Sequence, residues 1–234
     1  MLELKNVSVA YDKLRVVEDV NLYVDAGETL CIIGSNGAGK TTLLKTLSGI
    51  KRADKGSIYF KGVDITSLSS SRIVSLGLIQ VAEGRQLFNN MTVEENLILG
   101  SFTKKAKQKR KENIDYVYEL LPVLKEKRKE YAGDLSGGQQ QMLAIGRGIM
   151  ACPELIIFDE PSIGLSPLLT RQMFNIIESI KGLGITVLIV EQNVWNALKL
   201  SDRAYVIEQG RIVMSGRSDE LARNKHLKEA YLGM

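Results

Sequence analysis

The chain has 234 residues, a formal net charge of +4, and a composition 44% apolar and 25% charged. That is the balance of an ordinary soluble globular protein with enough chain to bury a substantial core. The charge is too mild to imply nucleic acid by itself, no apolar run approaches the roughly 20 residues of a membrane span, and the N-terminus lacks the charged-then-apolar form of a signal peptide. Two cysteines, Cys31 and Cys152, make no disulfide framework, so a cytosolic, reducing setting is expected.

In chain order, the first ~65 residues alternate as antiparallel strands do, with Leu2 and Leu4, Val7 and Val9, Leu22 and Val24, Ile58 and Phe60 in register and turns at Asp25 to Glu28 and Lys61-Gly62. Between them, Thr29 to Ile33 is a short apolar run suited to a buried strand, with Cys31 as a small buried thiol. Thr42 to Ser48 reads as a helix ended by Gly49. From Ser71 to Ile149 the period is helical, with a lysine-rich middle. Past Pro153, the runs Leu155 to Phe158 and Ile185 to Val190 flank a helix-length segment, and strands alternating with helices argue for a parallel sheet. Ala204 to Val213 reads as a strand, a turn at Gly210 and a second strand. With no repeat and no linker, the helical stretch is expected to be a subdomain inserted in one domain spanning 1–234. The core would take about 1–83 and 151–234, and the helical subdomain about 84–150.

The most informative stretch is Gly34-Ser35-Asn36-Gly37-Ala38-Gly39-Lys40-Thr41, followed by Thr42. It matches G-x-x-x-x-G-K-[ST]. Glycines let backbone N–H groups turn inward around phosphates, Lys40 would neutralise the β- and γ-phosphates, and the Thr41 hydroxyl would complete a Mg²⁺ shell. The order strand, loop, helix aims a helix N-terminus at an anion. Downstream, Glu154 to Glu160 is an apolar strand ending in two carboxylates, and strand C-termini of a parallel sheet face the ligand crevice. Asp159 is suited to hold Mg²⁺ through water, and Glu160 to orient or deprotonate an attacking water. Leu135-Ser136-Gly137-Gly138-Gln139 precedes a helical run, with Ser136 as a natural N-cap and the glycines leaving N–H groups open to an anion.

On these three motifs the chain resembles the ATP-binding-cassette (ABC) ATPases over nearly its whole length. The resemblance implies a P-loop α/β head with an antiparallel β subdomain and an inserted helical signature subdomain, binding ATP with Mg²⁺. It implies that Leu135 to Gln139 of one protomer closes over the ATP of a second, and that Tyr11 stacks on adenine. Three positions depart from the common pattern. Glu83 stands where a Mg²⁺-contacting glutamine is usual, Gln80 being three residues early on the strand. Ser166 stands where the loop after Glu160 usually ends in aspartate, and Gln192 stands where a histidine faces the γ-phosphate. An amide can donate to phosphate but cannot titrate. His226, the chain's only histidine, is expected on the surface of a C-terminal helix.

Glu-Gly-Arg at 83–85, Pro-Ser-Ile-Gly-Leu at 161–165 and Glu-Gln-Asn at 191–193 together resemble one of the two ATPase subunits of branched-chain amino acid importers, with urea and amide importers close to the same pattern. That implies a peripheral protein on the cytoplasmic face of the inner membrane. Its implied partners are membrane-spanning permease subunits, a second ATPase subunit (a copy or a sister chain) and, indirectly, a solute-binding protein. Heads that act on DNA carry long coiled-coil insertions, for which the span from Gly34 to Gln139 has no room, and ribosome-acting members usually carry two cassettes. The run Lys104 to Lys111 has no interleaved aromatics to stack on bases, so nucleic acid is not an expected partner and a solvated helix face is. Leu87, Phe88 and Met91 form an apolar group at the start of the helical subdomain, either its core or, as the resemblance implies, part of a groove for a helix of the membrane subunit.

Overall fold

Period-two burial in the first strands builds one sheet and continuous apolar runs build another, in a computed structural model that describes residues 1–231. The side chain of His226 lies outside the described residues. The first half contains β1 (Leu2–Tyr11), β2 (Leu14–Val24), β3 (Thr29–Ile33), α1 (Lys40–Leu47), β4 (Lys55–Phe60), β5 (Val63–Asp64), α2 (Ser70–Ser75) and β6 (Leu78–Val81). A helical stretch follows, with α3 (Val93–Gly100), α4 (Lys104–Gln108), α5 (Arg110–Leu120), α6 (Pro122–Glu126) and α7 (Gly137–Met150). The chain then runs through β7 (Leu155–Asp159), α8 (Pro167–Lys181), β8 (Thr186–Glu191), α9 (Val194–Leu200), β9 (Arg203–Glu208), β10 (Arg211–Arg217), α10 (Ser218–Leu221) and α11 (Lys225–Tyr231).

Strands β2-β1-β4-β5 form a four-stranded antiparallel sheet, and β10-β9-β3-β8-β7-β6 a six-stranded sheet that is parallel except at the β10 edge. In β1 the inward residues step from Leu4 to Val7 rather than Lys5 or Asn6, across a register shift where Asn6 has φ 52°. Asparagine tolerates that left-handed conformation, which lets the strand bulge and keep its apolar side inward. The central strands divide their side chains between two cores. Leu30, Ile32, Leu155, Ile157, Leu188 and Val190 pack with the antiparallel sheet and α1. Their neighbours Cys31, Ile33, Ile156, Phe158, Val187 and Ile189 pack with the helices. Each fully buried aliphatic side chain contributes about 1.5–3 kcal/mol, so burial on both faces outweighs the slightly weaker pairing of parallel strands. On α8, Met173, Ile176, Ile177 and Ile180 supply the buried stripe at helical spacing.

The helical stretch expected from Ser71 to Ile149 contains one strand, β6, which pairs with β7 at the sheet edge. The predicted tail hairpin is β9–β10, turned by Gln209 (φ 46°) and Gly210 (φ 80°), the two positive φ values of a type I′ turn. This turn does more than join strands. Gly210 donates its N–H to the Ala38 carbonyl at 2.9 Å and accepts from Glu18 at 2.8 Å, and a Cβ there would lie 2.3 Å from the Val16 carbonyl oxygen. Gly62 also has positive φ but open space around it. Gly62→Ala should therefore cost about 1 kcal/mol in strain. Gly210→Ala should cost a further ~1–3 kcal/mol from overpacking, a gap of several degrees in Tm at ~2–4 °C per kcal/mol. Equal melting points would mean that the turn does not clamp the loop.

Candidate active site

Four buried polar residues, Lys40, Thr42, Asp159 and Glu191, lie where β3, β7 and β8 end. β3 runs into the glycine-rich loop, and α1 begins at Lys40 with Gly39 (φ 103°) before it and no side-chain cap, so its first-turn N–H groups have no side-chain acceptor. A Cβ on Gly39 would lie 2.8 Å from the Val16 carbonyl oxygen, which explains the glycine by close approach as well as by φ. The Lys40 side chain is 6% exposed. Its ammonium donates to the carbonyls of Gly34 at 2.8 Å and Ser35 at 3.2 Å and lies 3.4 Å from Glu160 Oε1. A cleft of about 360 Å³ opens here. Its walls are the stretch from Asn36 to Thr42, the polar side chains of Glu83, Glu160 and Gln192, and the apolar Val16 and Ile163.

Behind the cleft lies Asp159, buried at the end of β7. It accepts from Gln80 Nε2 at 3.4 Å, and its other oxygen, like Gln80 Oε1, is buried without a partner. Burial first, then the charges of Glu83 and Glu160, pushes its carboxyl up to about 6, against the opposing Glu83 backbone N–H and Lys40 charge. Glu160 follows in the left-handed region (φ 49°), its N–H donating to the Val190 carbonyl at 2.8 Å. The loop beyond is tied back by Glu191, which accepts from the Ser162 N–H at 3.1 Å. Burial raises the Glu191 carboxyl above its usual range. Ser166 caps α8 by accepting from the Leu169 N–H, with Pro167 in the first helical turn. A serine therefore serves this helix start as well as an aspartate would.

The cleft and the segment from Leu135 to Gln139 do not meet within one chain. Ser136 caps α7 in a reciprocal box with Gln139, Gly137 lies against the Arg85 guanidinium and Gly138 against Leu169, and none of Leu135 to Gln139 lines the phosphate-loop cleft. Tyr11 ends β1 outside the cleft walls, 41% exposed, with the Lys51 ammonium 4.8 Å from its ring centroid. Thr41 and Glu83 reach the cleft, and both are exposed. Among the described residues no three His, Cys, Asp or Glu side chains are grouped to hold a metal alone. An oxygen set of one or two carboxylates and a hydroxyl is nonetheless what Mg²⁺ takes when phosphates complete its shell, and the unpartnered Asp159 oxygen fits that need.

Sequence reasoning missed Val16, Ile163 and the Glu191 tie, and set Gln80 aside. Only Gln80 carried a signal, being a polar residue inside an apolar strand. The apolar group at 87–91 divides. Leu87 packs against the core, while Phe88 is 53% exposed and lines a groove of about 450 Å³ with Leu99 and Phe102. Arg147 stacks over the Phe88 ring at 5.7 Å.

A glycine-rich loop at the end of a parallel strand, faced by carboxylates that follow other strands of the same sheet, is the apparatus of a P-loop ATPase. Residues 17–163 match the ABC transporter family, and the chain belongs to that family. It is similar to the high-affinity branched-chain amino acid transport ATP-binding protein BraG of Pseudomonas aeruginosa, at 48% identity with all of both chains covered. It is also 33% identical to a probable branched-chain amino acid transport ATP-binding protein, LivF, of Archaeoglobus fulgidus, covering 100% of this chain and 99% of that one. Among solved structures, the ADP conformation of an ATP-binding cassette from an ABC transporter superposes with a TM-score of 0.85 at 30% identity, covering 100% of this chain and 99% of that one.

The buried carboxylate makes stability depend on pH. The Asp159 value lies above the ~3.9 of an unfolded aspartate, so the folded chain holds this proton more tightly. The stabilisation is full below about pH 4 and is lost as the pH rises through about 6. Asp159→Asn should therefore stabilise the nucleotide-free subunit at pH 7.5 by on the order of 1–3 kcal/mol, with the gain fading near pH 4. Urea unfolding in chelator at the two pH values measures this, and a destabilised variant at pH 7.5 would contradict it.

Proposed function

We propose that this chain is the ATP-hydrolysing subunit of an importer for branched-chain amino acids, seated peripherally on the cytoplasmic side of the inner membrane against membrane-spanning permease subunits. The observation that carries the reading is the meeting of Lys40 and Glu160 across one cleft, 3.4 Å apart, in a chain similar over its full length to BraG. No described helix is long and apolar enough to cross a membrane, and in this reading solute passage is assigned to the permease subunits.

In this reading the β- and γ-phosphates enter between the first turn of α1 and Lys40, which exchanges the carbonyls of Gly34 and Ser35 for phosphate oxygens. The open backbone from Gly34 to Gly39 and the side chains of Thr41 and Thr42 line the phosphates, and Tyr11 or the nearer Val16 borders the base. Glu160, freed from Lys40 by that exchange, accepts a proton from the attacking water. Gln192 donates to the γ-phosphate but does not titrate at any working pH. Thr41, Glu83 and Asp159 would hold Mg²⁺, which supplies neutralisation of the phosphate charge when bound. The separation of Leu135 to Gln139 from the cleft supports a two-protomer sandwich, each signature completing the site of a second ATPase subunit, itself a copy or a sister chain. The apolar groove at Phe88, Leu99 and Phe102 is the seat for a permease segment, with a solute-binding protein acting on the far side of the permease.

Two experiments test the reading. Lys40→Ala should abolish ATP hydrolysis, and Glu160→Gln, which keeps the shape but removes the base, should lower it by at least 100-fold while ATP, but not ADP, drives association. Sizing in both nucleotides reads this out, and a Lys40→Ala variant hydrolysing at the wild-type rate would refute the phosphate-loop assignment. Separately, Phe88→Asp should shift Tm by no more than about 2 °C, because the ring is half exposed and surface changes fall within ~0.5 kcal/mol. The same variant should lose co-purification with the permease subunits. Retained capture would move the seat elsewhere.

A further inference from the structure

We propose that the outer face of α4 and the first turn of α5 is a docking surface for the anionic headgroups of a lipid bilayer. The backbone bonds Lys107 to Thr103, Lys109 to Lys105 and Asn113 to Lys109 carry the helical path from α4 into α5 with only a slight irregularity at Lys109. Its inner side is anchored. Ala106 is buried, Arg110 donates to Ser101 Oγ at 2.7 Å, and Asn113 reaches Cys152 Sγ at 3.0 Å. Five lysines point elsewhere, and they divide into two sets. Lys105 pairs with Glu154 at 3.4 Å and Lys109 with Glu112 at 3.9 Å. Lys104, Lys107 and Lys111 are exposed and have no ion pair among the described residues. At three- and seven-residue offsets from Lys104 they lie within about 60° of one another around the helix axis.

Like charges at such offsets repel and weaken a helix, so this fold gains nothing internally from placing three of them together. An external array of anions reverses the sign. Continuity says which array. Phe102, two residues before Lys104, is 49% exposed and lines the apolar groove with Phe88 and Leu99. The inference rests on the reading of that groove as the permease seat, because a surface adjoining a membrane-embedded partner is directed at the bilayer. A half-exposed aromatic beside unpaired lysines is also the composition that binds an anionic membrane interface. Residues 103–111 contain no aromatic side chain on which bases could stack.

Flotation of the purified subunit with vesicles of phosphatidylcholine alone, or of phosphatidylcholine mixed with phosphatidylglycerol, tests the proposal. Wild type should partition onto the phosphatidylglycerol vesicles at low salt, release as salt rises, and ignore phosphatidylcholine. The triple variant Lys104→Gln, Lys107→Gln, Lys111→Gln should partition roughly 100-fold less, while hydrolysing ATP as wild type does. Lys105→Gln with Lys109→Gln, whose charges are already partnered, should have a much smaller effect. No preference for phosphatidylglycerol, or a triple variant that floats like wild type, overturns the proposal. Lysine-dependent binding of a single-stranded oligonucleotide in preference to vesicles overturns it as well. Because flotation uses no permease, its failure with Phe88-dependent capture intact refutes the lipid surface alone. Capture that survives Phe88→Asp while flotation succeeds refutes the groove reading instead.

Discussion

Strands β3, β7 and β8 are apolar on both faces, and a charged group cannot sit along them without losing its hydration. Charged side chains are therefore pushed to the last residue of each strand or just beyond it, and three adjacent strands deliver them to one rim. The order matters as much as the ends. β8 lies between β3 and β7, so Glu160 reaches Lys40 only by crossing the end of β8. Its left-handed backbone and the bond from its N–H to Val190 make that crossing. A non-glycine residue in that region costs about 1–2 kcal/mol, and a buried ion pair returns little net stability. The arrangement is thus sustained by the surrounding fold, as strained residues usually are.

Around that rim the charges do not balance. Glu83 and Glu160 both oppose ionisation of Asp159, and Glu160 opposes that of Glu191, while among the described residues Lys40 is the one cation with an ion pair there. The site holds its carboxylates together through specific bonds, Gln80 to Asp159 and the Ser162 N–H to Glu191. Gln80 also borders the Phe88 groove, so one amide spans the wall between the rim and the outer surface.

Local pattern made much of this legible. Apolar runs marked the central strands, glycine spacing marked the phosphate loop, Ser136 marked its own cap, and Gly210 its turn. What depended on strand order was not legible, because order is a property of the whole sheet. Val16 walls the cleft only because the β2 strand passes the phosphate loop, and Glu191 ties down Ser162 only because β8 neighbours β7. The group at 87–91 read as a unit but divides. Arg85 and Gln86 both adopt positive φ (66° and 48°), redirecting the chain so that Leu87 turns in and Phe88 turns out, and neither residue type announces such a bend.

The clamp at Gly210 bears on the thermodynamics of the phosphate loop. A glycine-rich segment left free would lose about 1–2 kcal/mol of conformational entropy per residue when a ligand ordered it. Here Ala38 is already bonded to the hairpin turn, and Gly34 and Ser35 hold the Lys40 ammonium. Part of that disorder has been removed during folding, so a polyanion entering as proposed above would meet a largely preordered loop. Under that reading it would instead displace one cation from its internal acceptors. Its binding would then be governed by an exchange of partners around a single nitrogen rather than by the closing of a loop.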